Sequence, residues 1–145
     1  MSGIAQITVS LIGPTSVWAL LCTLERHGWR MRDRSGLVHI APLHDGDSYH
    51  WEEKELSRNA LKSLIQQKER ENEQTAMVLW HNSTGVGVTF LASCPTEVCF
   101  LLDCHRVKIK DRRGIVTTDV NWYVQNLLWK LGRSNTITHF EFEEF

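Results

Sequence analysis

Polar and apolar residues alternate at the start of the chain. In residues 4–12, Ile7, Val9 and Leu11 fall on one side and Gln6, Thr8 and Ser10 on the other, the period of two that marks a half-buried strand. Gly13 and Pro14 end it. Thr15 or Ser16 can then cap a helix, because a side-chain oxygen accepts an otherwise unpaired backbone N–H. Val17, Leu20, Leu21 and Leu24 recur at helical spacing up to Arg26, and Gly28 supplies a left-handed stop. Residues 30–42 predict a hairpin or a pair of strands turned at Asp33-Arg34-Ser35-Gly36, with Leu37, Val38 and Ile40 in the second limb. Residues 43–52 are polar and predict a loop. The spacing of Leu56, Ala60, Leu61, Leu64 and Ile65 predicts a long amphipathic helix over 53–72.

The next stretch is rich in strands. Residues 76–81, 85–93 and 97–102 read as three successive strands, and 105–110 as a fourth. The short turns between them favour an antiparallel meander. Gly87, inside the second of these strands, marks a place where something bulky sits opposite. Asp119 or Thr118 caps a third helix that runs to Leu131 and stops at Gly132. Its inner face is Val120, Tyr123, Val124, Leu127, Leu128 and Leu131. Residues 136–142 alternate again, with Ile137 opposed to Phe140 and Phe142. The order predicts a single α+β domain over 1–145, a mainly antiparallel sheet of about six or seven strands with three helices against it.

Composition narrows the class without naming a function. The chain has 145 residues, 42% hydrophobic and 23% charged, which suits a globular domain with its own core. The formal net charge of −1 argues against a nucleic-acid-binding domain. Six Trp are many for this length, and most of them are expected in the core. The first residues lack a signal-peptide pattern, and no apolar run approaches the ~20 residues that span a bilayer. The expectation is therefore a cytoplasmic protein with no membrane association. Cys22, Cys94, Cys99 and Cys104 are then free thiols.

Candidate chemistry is sparse. Cys94, Cys99 and Cys104 are spaced five apart beside His105, with no Cys-x-x-Cys pair, and Cys99 lies within an apolar run. They read as small hydrophobic filler rather than zinc ligands. His44, Asp45, Asp47 and His50 are suitable types for a cation, but their spacing departs from a calcium loop. Thr84-Gly85-Val86-Gly87-Val88 lacks the third glycine of a phosphate cradle. No catalytic residue, metal ligand or cofactor is assigned, and the chain is not read as an enzyme.

Charge is more informative. Residues 45–55 hold Asp45, Asp47, Glu52, Glu53 and Glu55 against Lys54, and the last seven residues hold Glu141, Glu143 and Glu144 among Phe140, Phe142 and Phe145. Residues 105–113 reverse the sign with Arg106, Lys108, Lys110, Arg112 and Arg113 against Asp111. Glu52, Glu53 and Glu55 suit the start of the predicted helix, whose dipole favours anions. The functional alternative is an acidic, aromatic surface for a basic partner, in which carboxylates speed docking and rings supply energy. Trp122 and Trp129 are seven apart, on a helix face other than the apolar stripe, so the helix is either sandwiched or presents one Trp. The candidate partner-binding residues are Asp45, Asp47, Tyr49, Trp51, Glu52, Glu53, Trp122, Trp129, Glu141, Glu143 and Glu144.

These features give the chain a whole-length resemblance to the immunity proteins of bacterial contact-dependent growth inhibition and related polymorphic toxin systems. The segment Thr118-Asp119-Val120-Asn121-Trp122-Tyr123 and the acidic aromatic end share in it. The resemblance implies one-to-one binding to the C-terminal domain of a cognate toxin, often a nuclease, and neutralisation by occlusion. It assigns no site residue. Two alternatives come from other classes: a nucleic-acid-associated domain using Arg106, Lys108, Lys110, Arg112 and Arg113, and a small enzyme built on a thiol such as Cys104 with a histidine.

Overall fold

The computed structural model describes residues 3–46 and 48–145. Local signals set the helices. The Ser16 hydroxyl accepts from the Ala19 amide at 3.0 Å and starts α1 (Val17–Arg26). Ser57 does the same for Ala60 at 3.1 Å and starts α2 (Arg58–Arg70). Asp119 caps α3 (Val120–Tyr123), which runs on through a π-helical turn (Val124–Leu128) into α4 (Trp129–Leu131) as one continuous helix. Within the π turn the Asn126 carbonyl accepts the indole N–H of the buried Trp29 at 2.7 Å. A side chain reaching into the helical ladder is a known cause of such widening.

The strands are β1 (Ala5–Ile12), β2 (Trp29–Arg30), β3 (Val38–Ile40), β4 (Glu52–Lys54), β5 (Thr75–His81), β6 (Gly87–Cys94), β7 (Glu97–Cys104), β8 (Lys108–Lys110), β9 (Val116–Thr118) and β10 (Thr136–Glu144). Eight of them form one sheet in the order β10-β1-β7-β6-β5-β3-β4, with β2 pairing β5 beside that path. The pairings are antiparallel. The α+β class and the large antiparallel sheet with three helical segments are as the sequence predicts.

Three local expectations are corrected. The second helix begins at Arg58, not near 53, because Glu52–Lys54 pair with Val38–Ile40 as an edge strand. Glu52 and Glu53 therefore do not sit at a helix start. Residues 105–110 do not extend the meander. β1 occupies the second edge of β7, so no ladder is free there, and His105 leaves the sheet with φ +51. β8 instead pairs β9 in a separate two-stranded ribbon. In β10, a register shift at Ser10/Leu11 sets Ile137 opposite Leu11 and Phe140 opposite Val9. Ile137 thus shares a face with Phe140 and Phe142 instead of opposing them.

One face of the sheet carries the core. Ile7, Val9, Val88, Phe90, Val98, Phe100, Met77 and Ile40 pack with Leu20, Leu21, Leu24, Leu61, Ile65, Tyr123, Leu127 and Leu131 of the helices. The second face holds a smaller cluster of Ala41, Ala76 and Leu91 with Cys99 and Leu101, to which, among the described residues, no helix contributes an apolar side chain. Among the described residues no helix is long and apolar enough to cross a membrane.

Candidate protein-binding face

The side chains that alternate with the core strands build this face. β1 contributes Gln6, Thr8 and Ser10. β7 contributes Glu97, Cys99, Leu101 and Asp103, β6 Thr89 and Leu91, and β5 Ala76, Val78 and Trp80. His39 on β3 and Glu53 on β4 stand opposite each other, their nearest polar atoms 3.8 Å apart. At the other end of the sheet, Glu141 lies opposite Thr8 and Glu143 opposite Gln6. The middle of the face is apolar: Val78, Cys99 and Leu101 are partly exposed, and Leu91 is already buried. Five carboxylates surround it, on Glu53, Glu97, Asp103, Glu141 and Glu143, with Arg30 beside Trp80.

Size follows from sheet geometry. Seven strands at about 4.8 Å spacing place β10 and β4 about 29 Å apart, and an eight-residue strand runs about 26 Å. The face therefore has a flat footprint of about 750 Å², on the scale of the ~800 Å² of surface that each partner buries in a standard protein interface.

The residues singled out from sequence divide. Glu53, Glu141 and Glu143 do belong to this one face, at its two opposite margins. Glu52 points to the other side of β4 and pairs with Lys54 at 3.1 Å. Tyr49 and Trp51 are 42% and 43% exposed and stack on each other with ring centroids 6.3 Å apart, next to the β4 margin. The Tyr49 hydroxyl donates to Gln74 at 3.1 Å. Asp45 is not a surface charge: its side chain is 5% exposed and accepts from the His50 amide and ring at 3.2 and 3.0 Å. Burial pushes its carboxyl up, but the bonds from His50 and from the Tyr49 backbone outweigh this and hold it below the usual carboxylate range. Asp47 lies outside the described residues.

Trp122 and Trp129 part company. Trp122 is half-buried, edge-on to Trp29, His81 and Tyr123 at 5.0–6.3 Å between centroids. Trp129 is 67% exposed, on the helical side of the molecule. Glu144 is an internal fastening. It accepts from the Thr118 hydroxyl at 2.8 Å and from Arg106 at 3.2 Å. Arg106 also donates to the carbonyls of Leu102 and Gly3, and its side chain is only 11% exposed. The basic segment thereby loses one of its five cations to structure. Lys108, Lys110, Arg112 and Arg113 stay exposed on the β8–β9 ribbon, whose turn is held by the Asp111 carboxylate.

Cys94, Cys99 and Cys104 lie along the paired strands β6 and β7 and Cys22 on α1, all four as free thiols. Burial pushes the Cys104 thiol up, which weakens it as a nucleophile. Cys94 is exposed, and the Thr96 hydroxyl lowers it. Asp103, exposed as a residue, has its carboxyl against Thr89, whose hydroxyl donates to it at 3.0 Å. Partial burial still raises it above the usual carboxylate value.

Sequence reasoning missed Glu97 and Asp103. The signal was present, because both alternate with the apolar Val98, Phe100 and Leu102. Comparison of the chain with protein-family models, with curated protein sequences and with solved structures returned no match in any of the three.

Proposed function

We propose that this chain is a protein-binding inhibitor, an immunity protein that covers the C-terminal toxin domain of a cognate polymorphic toxin. The supporting observation is the helix-free sheet face, apolar in the middle and bordered by Glu53, Glu97, Asp103, Glu141 and Glu143. Its area suits one partner domain, and its charge suits a basic one such as a nuclease whose cleft holds phosphates. Apolar burial in the centre supplies affinity, and the carboxylates at the margin steer encounter. Exposed aromatics next to the β4 margin, Tyr49 and Trp51, extend the contact at little conformational cost.

The test is stoichiometric co-purification with a toxin domain encoded beside it, followed by association kinetics. Replacing Glu53, Glu97, Glu141 and Glu143 with Lys is expected to slow association about tenfold or more at low salt, with less effect at high salt. Unchanged kinetics in that variant would remove this face from the interface.

The alternative reading, nucleic-acid binding, draws on the exposed ribbon with Lys108, Lys110, Arg112 and Arg113, a shape that fits a major groove. Binding to duplex DNA whose affinity drops steeply with salt would favour it.

A further inference from the structure

At one end of the sheet, between the 33–36 turn and the 82–85 turn, lies a cleft of about 630 Å³. Arg30, Arg34, Trp80, Val86 and His105 line it. Arg30 and Trp80 are direct neighbours across the β2–β5 pairing. Arg34 reaches the other turn, since a Cβ built on Gly85 would lie 3.7 Å from its Nη2 atom. Among the described residues neither arginine has a hydrogen-bond or ion-pair partner, and the N–H groups at Arg30 Nε and Trp80 Nε1 are shielded from water with no acceptor. Buried donors are almost always paired, so two orphaned donors side by side call for an acceptor.

The other charged groups of the cleft do not supply one. The Asp33 carboxylate is already committed: it accepts from the amides of Ser35 and Leu37 at 2.8 and 3.0 Å and faces His39 Nε2 at 2.7 Å. The hydrogen bond from His39 holds it below the usual carboxylate range. His39 stands edge-on to Trp80 at 5.5 Å, and His105 is exposed at the rim. The cleft thus combines two free guanidinium groups with a tryptophan and a valine in a volume typical of small-molecule sites. Guanidinium groups match the geometry of carboxylate and phosphate oxygens.

We propose that this cleft binds a small organic oxyanion, a phosphate or carboxylate attached to a flat, apolar body. The oxygens meet Arg30 and Arg34, and the flat body lies against Trp80 and Val86. The inference does not require the protein-binding reading, because it needs no partner chain, although Arg30 and Trp80 also border the face described above.

The test is an NMR titration of the whole protein followed at the Trp80 indole N–H, assigned with Trp80→Phe, using AMP, benzoate and inorganic phosphate. AMP or benzoate is expected to move the Trp80 signal saturably below about 10 mM, with inorganic phosphate roughly tenfold weaker because it lacks the flat body. Arg34→Gln and Arg30→Gln are each expected to weaken binding about tenfold, the loss of one charge-assisted contact. Lys110→Gln, on the ribbon, is expected to leave it unchanged. Arg34 is exposed, so Arg34→Gln carries the test even where Arg30→Gln perturbs the fold. Absence of saturable movement with all three probes, binding unaffected by Arg34→Gln, or inorganic phosphate matching AMP would each overturn the proposal.

Discussion

Arg106 offers a sharp test of the fold because sequence alone makes it look like a phosphate contact. In the structure it is a bracket. Its guanidinium joins the end of β7 at Leu102, the N-terminal segment at Gly3 and the end of β10 at Glu144, while Glu144 also holds Thr118 of the ribbon. Arg106→Met keeps most of the bulk and removes all three donor interactions. Breaking a buried charge pair by deleting one partner costs roughly 3–5 kcal/mol. Here the Arg106 side chain is 11% and the Glu144 side chain 32% exposed, so water recovers part of the loss. The expected destabilisation is about 3 kcal/mol. With a urea slope of ~1–3 kcal/mol/M for a domain of this size, the midpoint moves down by about 1–3 M. Glu144→Gln keeps an acceptor for Thr118 and is expected to cost about 1–2 kcal/mol, with a coupling of about 1 kcal/mol or more in the double-mutant cycle. Urea unfolding followed by tryptophan fluorescence measures the wild type and the three variants of the cycle. A midpoint shift under about 0.3 M for Arg106→Met would refute the bracket and return Arg106 to the surface.

Two further perturbations probe the interior. A Cβ at Gly87 would lie 2.9 Å from Cys104 Cβ and 3.1 Å from both Cys104 Sγ and Trp80 Cε3, so Gly87→Val is expected to lower stability by about 2–3 kcal/mol, read as a drop in thermal midpoint. His81 is buried, and burial together with Lys130 lowers its pKa, so it stays neutral in the folded state below the ordinary imidazole value of about 6.5. As pH falls through about 6.5 the unfolded chain takes up a proton there that the folded chain refuses. Stability therefore declines with falling pH from that point, until pH passes the folded-state value. Chemical denaturation of the wild type and His81→Gln between about pH 8 and 5 is expected to show a shallower decline in the variant.

What the sequence revealed and what it concealed have physical causes. Period-two alternation identified β1, and the cap candidates Thr15 or Ser16 and Thr118 or Asp119 identified two helix starts, of which the structure uses Ser16 and Asp119, because both signals are local. Gly87 was also legible, as the missing side chain that lets Trp80 and Cys104 approach. The path of β8 was not. Its own residues are compatible with the meander, but the edge it would need is taken by β1 from the far end of the chain. The start of α2 was misplaced because Glu52–Lys54 have charges that suit a helix, and only pairing with Val38–Ile40 makes them a strand. Among candidate binding residues, Glu53, Glu141 and Glu143 gather on one face although 88 or more positions separate Glu53 from the others. Asp45 and Glu144 looked the same in sequence but are absorbed by His50 and Arg106. A carboxylate's role depends on whether a donor reaches it, and donors from distant segments leave no trace in local spacing.

The claim that the helix-free sheet face receives the partner is tested most directly by hydroxyl-radical footprinting of the free protein and of its complex with the toxin domain. The account predicts protection of Val78, Trp80, Cys99 and Leu101, with Trp129 on the opposite side and Ile109 on the ribbon left as reactive as before. Protection confined to Trp129 and Ile109, with Cys99 and Leu101 unchanged, would contradict it.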